Sequence, residues 1–412
     1  MANENLIKVK DEIYNCSVCG QCIKGPVDPL RPNPFFGDYL PERVCPMREK
    51  HRLITYSGSG MNSIARALLE GRLQVSDELV EAVQECVLCG HCVTNCGEVF
   101  NVVEGITEKR MKGHGVDTPE VVRAMKADFV KSGKEPTANV KKVAAAIEKG
   151  HNRFARSQSD RMSWVPKDMQ IPKKGKLLFY VGCVATYRNS EIAQSFARVL
   201  NKAGIDFAIL GEDEWCCGGP QLLNAGLVDQ FEVQAKHNVE AIKASGATEV
   251  VATCADCYRT LKFDYPKVVG DLGFNVLHSS ELLARLIDEK KIQLTKEIKE
   301  TVTFQDPCQL ARIGKVYDQP RKVIGSIPGI NLVEMEGNRE HTVCCGHYPV
   351  ELPQTTLQSG KDRVKDAQDV GATTMVTSCS FCKWSFNNAT KRLGEKTKIK
   401  DITELVAEAM EL

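Results

Sequence analysis

The sequence contains SGATEVVATCADCYRTL at residues 245–261 and VGATTMVTSCSFCKWSF at residues 370–386. The two stretches align without a gap and carry a Cys-x-x-Cys pair at the same position. At an offset of about 125 residues, every other cysteine beyond residue 180 also finds a counterpart. Self-similarity at a fixed spacing indicates a duplicated structural unit. The second half of the chain is therefore predicted to consist of two homologous domains.

Each unit carries five cysteines in the same order: an isolated cysteine, a vicinal Cys-Cys pair followed by glycine, and the Cys-x-x-Cys pair. In the first unit, apolar runs at residues 176–182, 206–210 and 249–253 predict buried strands, and residues 190–203 and 228–244 predict helices. Such alternation indicates a parallel α/β sheet. The cysteines then fall at the carboxyl edge of the sheet, where such folds bind ligands.

Length and composition limit the class of protein. The chain has 412 residues, enough for roughly two to three domains. Its formal net charge of +1 gives neither nucleic acid nor an acidic membrane surface an electrostatic attraction. No secretory signal opens the chain, and no apolar run approaches the roughly 20 residues that span a bilayer. We expect a cytoplasmic protein that reaches the inner face of a membrane only through a partner subunit.

Eighteen cysteines in such a chain favour metal binding over disulfides, which need an oxidising compartment. The amino-terminal eight include Cys16-x-x-Cys19-x-x-Cys22 and Cys86-x-x-Cys89-x-x-Cys92-x-x-x-Cys96, the spacing of bacterial two-cluster ferredoxins. The fourth cysteine of each run there ligates the other cluster, and Cys45 before Pro46 supplies the displaced fourth cysteine of the first run. Zinc sites would leave the third cysteine of each run without a role. We predict two cubane [4Fe–4S] clusters, one held by Cys16, Cys19, Cys22 and Cys96 and the other by Cys86, Cys89, Cys92 and Cys45.

The region around these runs is predicted to be helical. Residues 61–73 and 77–83 have helical apolar spacing, and Ser76 is a plausible N-cap. His91 lies inside the second run and is predicted to be a solvent-facing loop residue. Residues 116–150 indicate amphipathic helices, and residues 153–176 a linker. The predicted domains are 1–165, 166–290 and 291–412.

Each repeat has five cysteines, one more than the four that ligate an ordinary cubane cluster. The surplus predicts a cluster opened or extended by an extra thiolate, or a cubane with a ligand that exchanges with substrate sulfur. A regulatory disulfide between vicinal cysteines, and a zinc-rich interaction scaffold, are the alternatives.

The pattern C-x(31–39)-C-C-x(33–36)-C-x-x-C, present twice, resembles the cysteine-rich (CCG) domains of heterodisulfide reductase, and the fusion to a two-cluster ferredoxin domain resembles the D subunit of that enzyme. The stretches WVPKD (164–168), LGEDEWCCGG (210–219), HNVEAI (237–242) and DPC (306–308) also match. The resemblance implies an α+β multidomain fold, a helical ferredoxin-like domain followed by two α/β CCG domains. It also implies two noncubane [4Fe–4S] clusters that face each other across a cavity where a disulfide is cleaved. Their implied ligands are Cys183, Cys216, Cys217, Cys254 and Cys257 for one cluster and Cys308, Cys344, Cys345, Cys379 and Cys382 for the other.

The resemblance implies an oxidoreductase subunit acting on a sulfur group, which passes electrons from the cubanes to the noncubane clusters and onto a disulfide. The alternative is a non-catalytic electron relay in a flavin-dependent 2-hydroxyacid or glycerol-3-phosphate oxidising complex, because CCG domains occur there too. The chain has no dinucleotide-binding glycine motif or P-loop, so a flavoprotein or cytochrome-type membrane subunit is the expected partner. A small thiol or disulfide is the expected substrate. His347 is the candidate proton donor, with a packed loop histidine as the alternative.

Overall fold

The computed structural model describes residues 3–23, 45–102, 115–134, 136–346 and 353–412. The segment between the first cysteine run and Cys45 lies outside them, as does His347, the candidate proton donor. The described part of the amino-terminal region is helical. Its helices are α1 Glu4–Lys8, α2 Lys10–Asn15, α3 Pro46–His51, α4 Gly58–Leu69, α5 Asp77–Gln84, α6 His91–Val102, α7 Thr118–Lys131 and α8 Ala138–Gly150.

Serine caps fix where the central helices of this domain begin. The Ser76 hydroxyl accepts a hydrogen bond from the Leu79 amide, so the predicted N-cap of α5 is present. Ser57 caps α4 by accepting from the Gly60 amide, which starts this helix three residues before the predicted position. The apolar faces of α1, α2, α4, α5 and α7 share one buried core. The apolar positions with helical spacing in the sequence are therefore the ones that pack in this core.

The first repeat is a three-stranded parallel sheet in the order β1-β2-β3, covered by helices. Its elements are β1 Leu177–Tyr180, α9 Cys183–Tyr187, α10 Ser190–Lys202, α11 Val228–Ala244, β2 Glu249–Ala252, α12 Ala255–Arg259, α13 Pro266–Val269, β3 Asn275–His278 and α14 Ser279–Asp288. The strand predicted at residues 206–210 is reduced to a single parallel bridge between Leu178 and Ala208.

The second repeat is a four-stranded parallel sheet in the order β5-β4-β6-β7. Its elements are β4 Thr301–Gln305, α15 Asp318–Gly325, β5 Asn331–Val333, α16 Pro353–Asp369, β6 Thr374–Thr377, α17 Ser380–Leu393, β7 Lys398–Asp401 and α18 Ile402–Ala409. Strand β5 lies where the first repeat has only its bridge. The two sheets otherwise share one topology, as a duplication requires.

The two repeats pack against each other through α10 and α18. Thr403 donates its hydroxyl proton to the Ile192 carbonyl across this contact, and Lys383 binds Glu191 and Glu404 at 2.6 Å each. Buried apolar residues from both repeats belong to the same two core clusters. The predicted α+β multidomain fold with two repeated α/β units is confirmed. Among the described helices, none is both long and apolar enough to cross a bilayer.

The prediction for His91 is wrong. His91 begins α6 and is 3% exposed, and its ring lies 6.3 Å from that of His341 in the second repeat. The neighbouring Gly90 also lies close to Arg312 of that repeat. The second cysteine run therefore faces another domain instead of solvent, an arrangement that local sequence cannot reveal.

Candidate metal centre

The five cysteines of the first repeat converge at the carboxyl edge of its sheet. Cys183 opens α9 just after β1, and Cys254 precedes α12, which contains Cys257. The Sγ atoms of Cys183 and Cys216 are 3.9 Å apart, and those of Cys217 and Cys257 are 3.7 Å apart. All five side chains are buried. The structure thus brings together the five residues that the sequence assigns to this group.

The second repeat reproduces the arrangement. The Sγ atoms of Cys308 and Cys344 are 3.9 Å apart, and those of Cys345 and Cys382 are 3.5 Å apart. Cys379 stands directly before α17, as its counterpart stands before α12. In both repeats the isolated cysteine pairs with the first vicinal cysteine, and the second vicinal cysteine pairs with the last. Shared topology gives the two groups the same internal geometry.

The two groups meet at equivalent cysteines. The Sγ atoms of Cys254 and Cys379 are 3.9 Å apart, although the residues belong to different repeats. Beside this contact lies a small cavity. Its lining includes Val87 from the helical domain and, from the two repeats, Pro220, Asn224, Ala255, Asp256, Pro307, Cys308, Gln309, Cys344, Cys345, Cys379, Phe381 and Cys382. The cavity therefore lies mainly against the second group.

The structure brings the eight amino-terminal cysteines together in two neighbouring groups. Burial, together with the nearby thiols of Cys19, Cys22 and Cys16, raises the pKa of Cys96 to about 11. The Ser59 amide donates to the Cys22 sulfur at 3.1 Å. The run Cys16–Cys22 and the distant Cys96 are thus neighbours in space.

The second group forms around Cys45. Burial raises the pKa of Cys45 to about 12, and the nearby thiols of Cys89 and Cys86 also raise it. Gly58 separates the two amino-terminal groups, because a Cβ there would lie 2.8 Å from Cys92 Cβ and 3.3 Å from Cys22 Cβ. Only a residue without a side chain fits between them. The two groups are consequently adjacent.

The Cys45 group also touches the second repeat. Cys89 and Cys344 lie in one small apolar cluster with Met47 and Val87. A hydrogen bond with Cys344 is the main cause that lowers the pKa of Cys89 to about 6. Arg312 of the second repeat donates to the Cys89 carbonyl at 3.0 Å. The helical domain is therefore joined to the second repeat at the cysteines themselves.

A buried lysine joins the same part of the helical domain to the first repeat. Lys126 donates its ammonium protons to the carbonyls of Cys86 and Asn224, each at 3.2 Å. Burial lowers the pKa of Lys126 to about 7. Nothing in the sequence pattern distinguished Lys126 or Arg312 from surface cations, and only their position in the fold shows this role.

A buried ion pair holds the cysteine loops of the first repeat. Glu214 accepts from the amides of Val181 and Gly182 at 2.8 Å each and pairs with Arg161 at 3.2 Å. Gly182 has φ of 76°, and a Cβ there would lie 3.0 Å from Cys257 Sγ. The turn before Cys183 therefore requires glycine.

These groups fit iron–sulfur clusters. All eighteen cysteines lie in the described part of the chain, and none forms a disulfide. The Sγ separations of 3.5 to 3.9 Å among the cysteines of the two repeats greatly exceed a disulfide bond of about 2.05 Å. Burial and neighbouring thiols raise the pKa of cysteines such as Cys92 well above its ordinary value, so the thiolates need a cation to form. Groups of thiolates with sulfur-preferring metals meet that need.

Comparisons with known proteins agree with this chemistry. A family model described as "Cysteine-rich domain" (CCG) matches residues 177–262 and 302–387. The D subunit of dihydromethanophenazine:CoB–CoM heterodisulfide reductase from Methanosarcina acetivorans is 34% identical, covering 97% of this chain and 95% of its own. Its counterpart from Methanosarcina barkeri is 36% identical, covering 84% and 83%. A crystal structure of a hypothetical Helicobacter pylori protein shares the fold, with a TM-score of 0.53 at 10% identity, over 86% of this chain and 68% of that chain.

The fold and the cysteine groups define an iron–sulfur oxidoreductase with two CCG domains. With relatives of this identity along nearly its full length, the chain belongs to the family of heterodisulfide reductase D subunits. The predicted family and class of enzyme are confirmed.

Proposed function

We propose that this protein is the disulfide-reducing subunit of an electron-transfer complex, with two cubane and two noncubane [4Fe–4S] clusters. The observation that carries the proposal is the order of the four cysteine groups. The Cys16 group adjoins the Cys45 group across Gly58, and Cys89 of the Cys45 group contacts Cys344 of the second repeat. The second repeat in turn meets the first repeat at Cys254 and Cys379. Electrons entering at the helical domain thus reach the second repeat before the first.

The proposed ligands are the groups brought together in space. Cys16, Cys19, Cys22 and Cys96 would hold one cubane, and Cys45, Cys86, Cys89 and Cys92 the other. Each repeat would hold one noncubane cluster with its five cysteines. Such clusters supply one-electron storage and an iron that can bind sulfur.

The cavity beside Cys379 is the proposed site of the sulfur substrate. Its walls combine apolar groups such as Val87 and Phe381 with the thiols of the second group. Cleavage of a disulfide consumes two electrons and two protons and yields two thiols. Contact between the groups of the two repeats would deliver both electrons to one place. His347 stays the predicted proton donor.

The name of the Methanosarcina relatives indicates the first substrate to test, the CoB–CoM heterodisulfide. The proposed donor is a separate flavoprotein or cytochrome-type subunit, which would also supply any attachment to the inner face of the membrane.

The test uses the anaerobically purified full chain with a reduced viologen as artificial donor. We expect about sixteen iron atoms per chain and oxidation of the viologen when a disulfide is added. The CoB–CoM heterodisulfide, glutathione disulfide and cystine would be compared as substrates. A protein with full iron that reduces none of them, yet passes electrons from a bound flavoprotein to an acceptor, would instead support the relay function.

A further inference from the structure

The Cys-x-x-Cys motifs of the two repeats differ at both inner positions, and the second of these positions lines the cavity in both repeats. The first reads Cys254-Ala-Asp-Cys257, and the second reads Cys379-Ser-Phe-Cys382. Asp256 is therefore the counterpart of Phe381. Both residues line the same cavity, so a residue with a carboxylate in one repeat corresponds to one with a phenyl ring in the other.

Asp256 extends from the first repeat toward the cysteines of the second. One of its carboxylate oxygens, Cys254 Sγ and Cys379 Sγ all lie within 4.8 Å of one another. The cavity that it lines also contains Cys308, Cys344, Cys345 and Cys382. The second group thus has a sixth donor, supplied by the opposite repeat.

The surroundings of this carboxylate call for a cation. Asp256 is partly buried and forms no side-chain hydrogen bond with any residue in the described part of the chain. Arg259 and Arg153 interact with it electrostatically, but each also has another partner. Arg259 binds Asp264 at 3.4 Å, and Arg153 lies over the Phe381 ring at 5.1 Å. A carboxylate placed among thiolates is unfavourable unless a positive ion lies between them.

We propose that the Asp256 carboxylate is an oxygen ligand of the cluster in the second repeat and occupies the iron position that a substrate sulfur takes. This inference rests on the proposed function. In the exchange, one Fe–O bond breaks and one Fe–S bond forms as a thiolate replaces the carboxylate, and no electron is transferred. Phe381, at the equivalent position of the second repeat, offers no donor atom, so the first repeat's cluster has no corresponding carboxylate. The two repeat clusters are consequently inequivalent.

The first test is Mössbauer spectroscopy of the anaerobic holoprotein enriched in ⁵⁷Fe. Iron with an oxygen ligand has a larger isomer shift than iron with sulfur ligands alone, because oxygen donates less electron density. We expect one such iron site in the wild type, its loss in Asp256→Asn and its retention in Asp256→Glu. Glu240→Gln, which changes an exposed carboxylate on α11, is the matched control and keeps the site.

The second test is a titration with 2-mercaptoethanol, followed by the electron paramagnetic resonance spectrum of the oxidised clusters. Because the carboxylate competes for the iron, its removal in Asp256→Asn should lower the Kd of the thiol by roughly tenfold. Asp256→Glu and Glu240→Gln should leave that Kd within about twofold of the wild type.

Two outcomes would overturn the proposal in distinguishable ways. If the wild type binds about sixteen irons and Asp256→Asn changes neither spectrum nor thiol affinity, Asp256 is no ligand and the proposed function stands. If the wild type binds only the iron of the two amino-terminal clusters, both proposals fail. If Asp256→Asn does not fold, the wild type and Asp256→Glu still test the proposal. Absence of the oxygen-ligated iron from both would show that Asp256 is not a ligand.

Discussion

The two repeats share one topology and one order of cysteines, yet they have different neighbours. In the first, Trp215 precedes the vicinal pair and is stacked between His151 and His237, with ring centroids 3.6 Å away on each side. In the second, Val343 holds the equivalent position, and the nearby Cys344 faces the helical domain. Duplication therefore supplied two similar cysteine groups. Divergence around them placed the cysteines of the second repeat against those of the helical domain.

The repeats differ again where the last strand of each sheet leads into a helix. His278 caps α14, and Asp401 caps α18, each within a capping box completed by a glutamate. His278 also donates its Nε2 proton to the Ser378 carbonyl at 3.0 Å, next to Cys379. The capping residue is thus a base in the first repeat and an acid in the second. The base of the first repeat also forms a hydrogen bond with the second repeat.

The largest expected effect comes from breaking the order of the groups. Cys345→Ala should remove the cluster of the second repeat. Reduction of the cluster in the first repeat should then slow by at least about 100-fold, because the loss of a direct ligand has a larger effect than the loss of supporting contacts. Cys217→Ala should leave the second repeat's cluster reducible at the wild-type rate. Freeze-quench electron paramagnetic resonance after mixing with reduced viologen measures both. Equal rates for the first repeat's cluster in wild type and Cys345→Ala would disprove the proposed order.

A smaller effect concerns the buried ion pairs that hold the cysteine loops. Arg161→Leu leaves Glu214 without its cation, and Arg321→Leu does the same to Asp306, which Arg321 binds through two 2.8 Å contacts. Each change should lower the free energy of unfolding by about 3–5 kcal/mol, because it leaves a buried charge unpaired. Anaerobic denaturant unfolding followed by circular dichroism measures the loss.

The control for these pairs is Arg198→Leu, which removes an exposed partner of Asp168 and should cost no more than about 1 kcal/mol. Each buried-pair variant should disturb the cluster spectrum of its own repeat alone. If Arg161→Leu and Arg321→Leu each change the free energy of unfolding by less than about 1 kcal/mol, the pairs do not hold the cysteine loops.

The smallest effect is a difference in pH dependence between the two helix caps. Burial lowers the pKa of His278 to about 4. The unfolded state therefore binds the proton first, and about 3 kcal/mol of stability is lost as pH falls from about 6.5 to 4. Burial raises the pKa of Asp401 to about 7. The folded state then binds its proton more tightly, so the stability that this carboxyl contributes is complete below about pH 4 and is lost as pH rises through 7.

The variants His278→Asn and Asp401→Asn keep a capping oxygen without a titrating group. We expect His278→Asn to flatten the acid side of the melting-temperature profile between pH 5 and 7, and Asp401→Asn to flatten the neutral side. Thermal unfolding of the anaerobic protein at pH 5, 6 and 7 measures both. Identical profiles for the wild type and both variants would contradict these shifts.

Much of the molecule could be predicted from residue spacing. The internal offset of about 125 residues identified the duplication, because homologous units keep their cysteines in register. Alternating apolar runs gave the strands around Phe179 and Val251, since buried parallel strands need continuous apolar sequence. The membership of all four cysteine groups followed from spacing and family resemblance, and the structure brings the same residues together. Local patterns suffice for such features because ligand spacing and strand burial are properties of short segments.

Other features depended on the packing of domains. His91 seemed a loop residue because the sequence does not show that its run faces the second repeat. Asp256 looked like an ordinary polar position until the fold brought its carboxylate to within 4.8 Å of both Cys254 and Cys379. The cations Lys126 and Arg312 likewise resembled surface residues. The sequence by itself determined the repeats, the helical domain and the cysteine groups, whereas tertiary structure decided their order and their buried neighbours, because contacts between residues far apart in the chain depend on how whole elements pack.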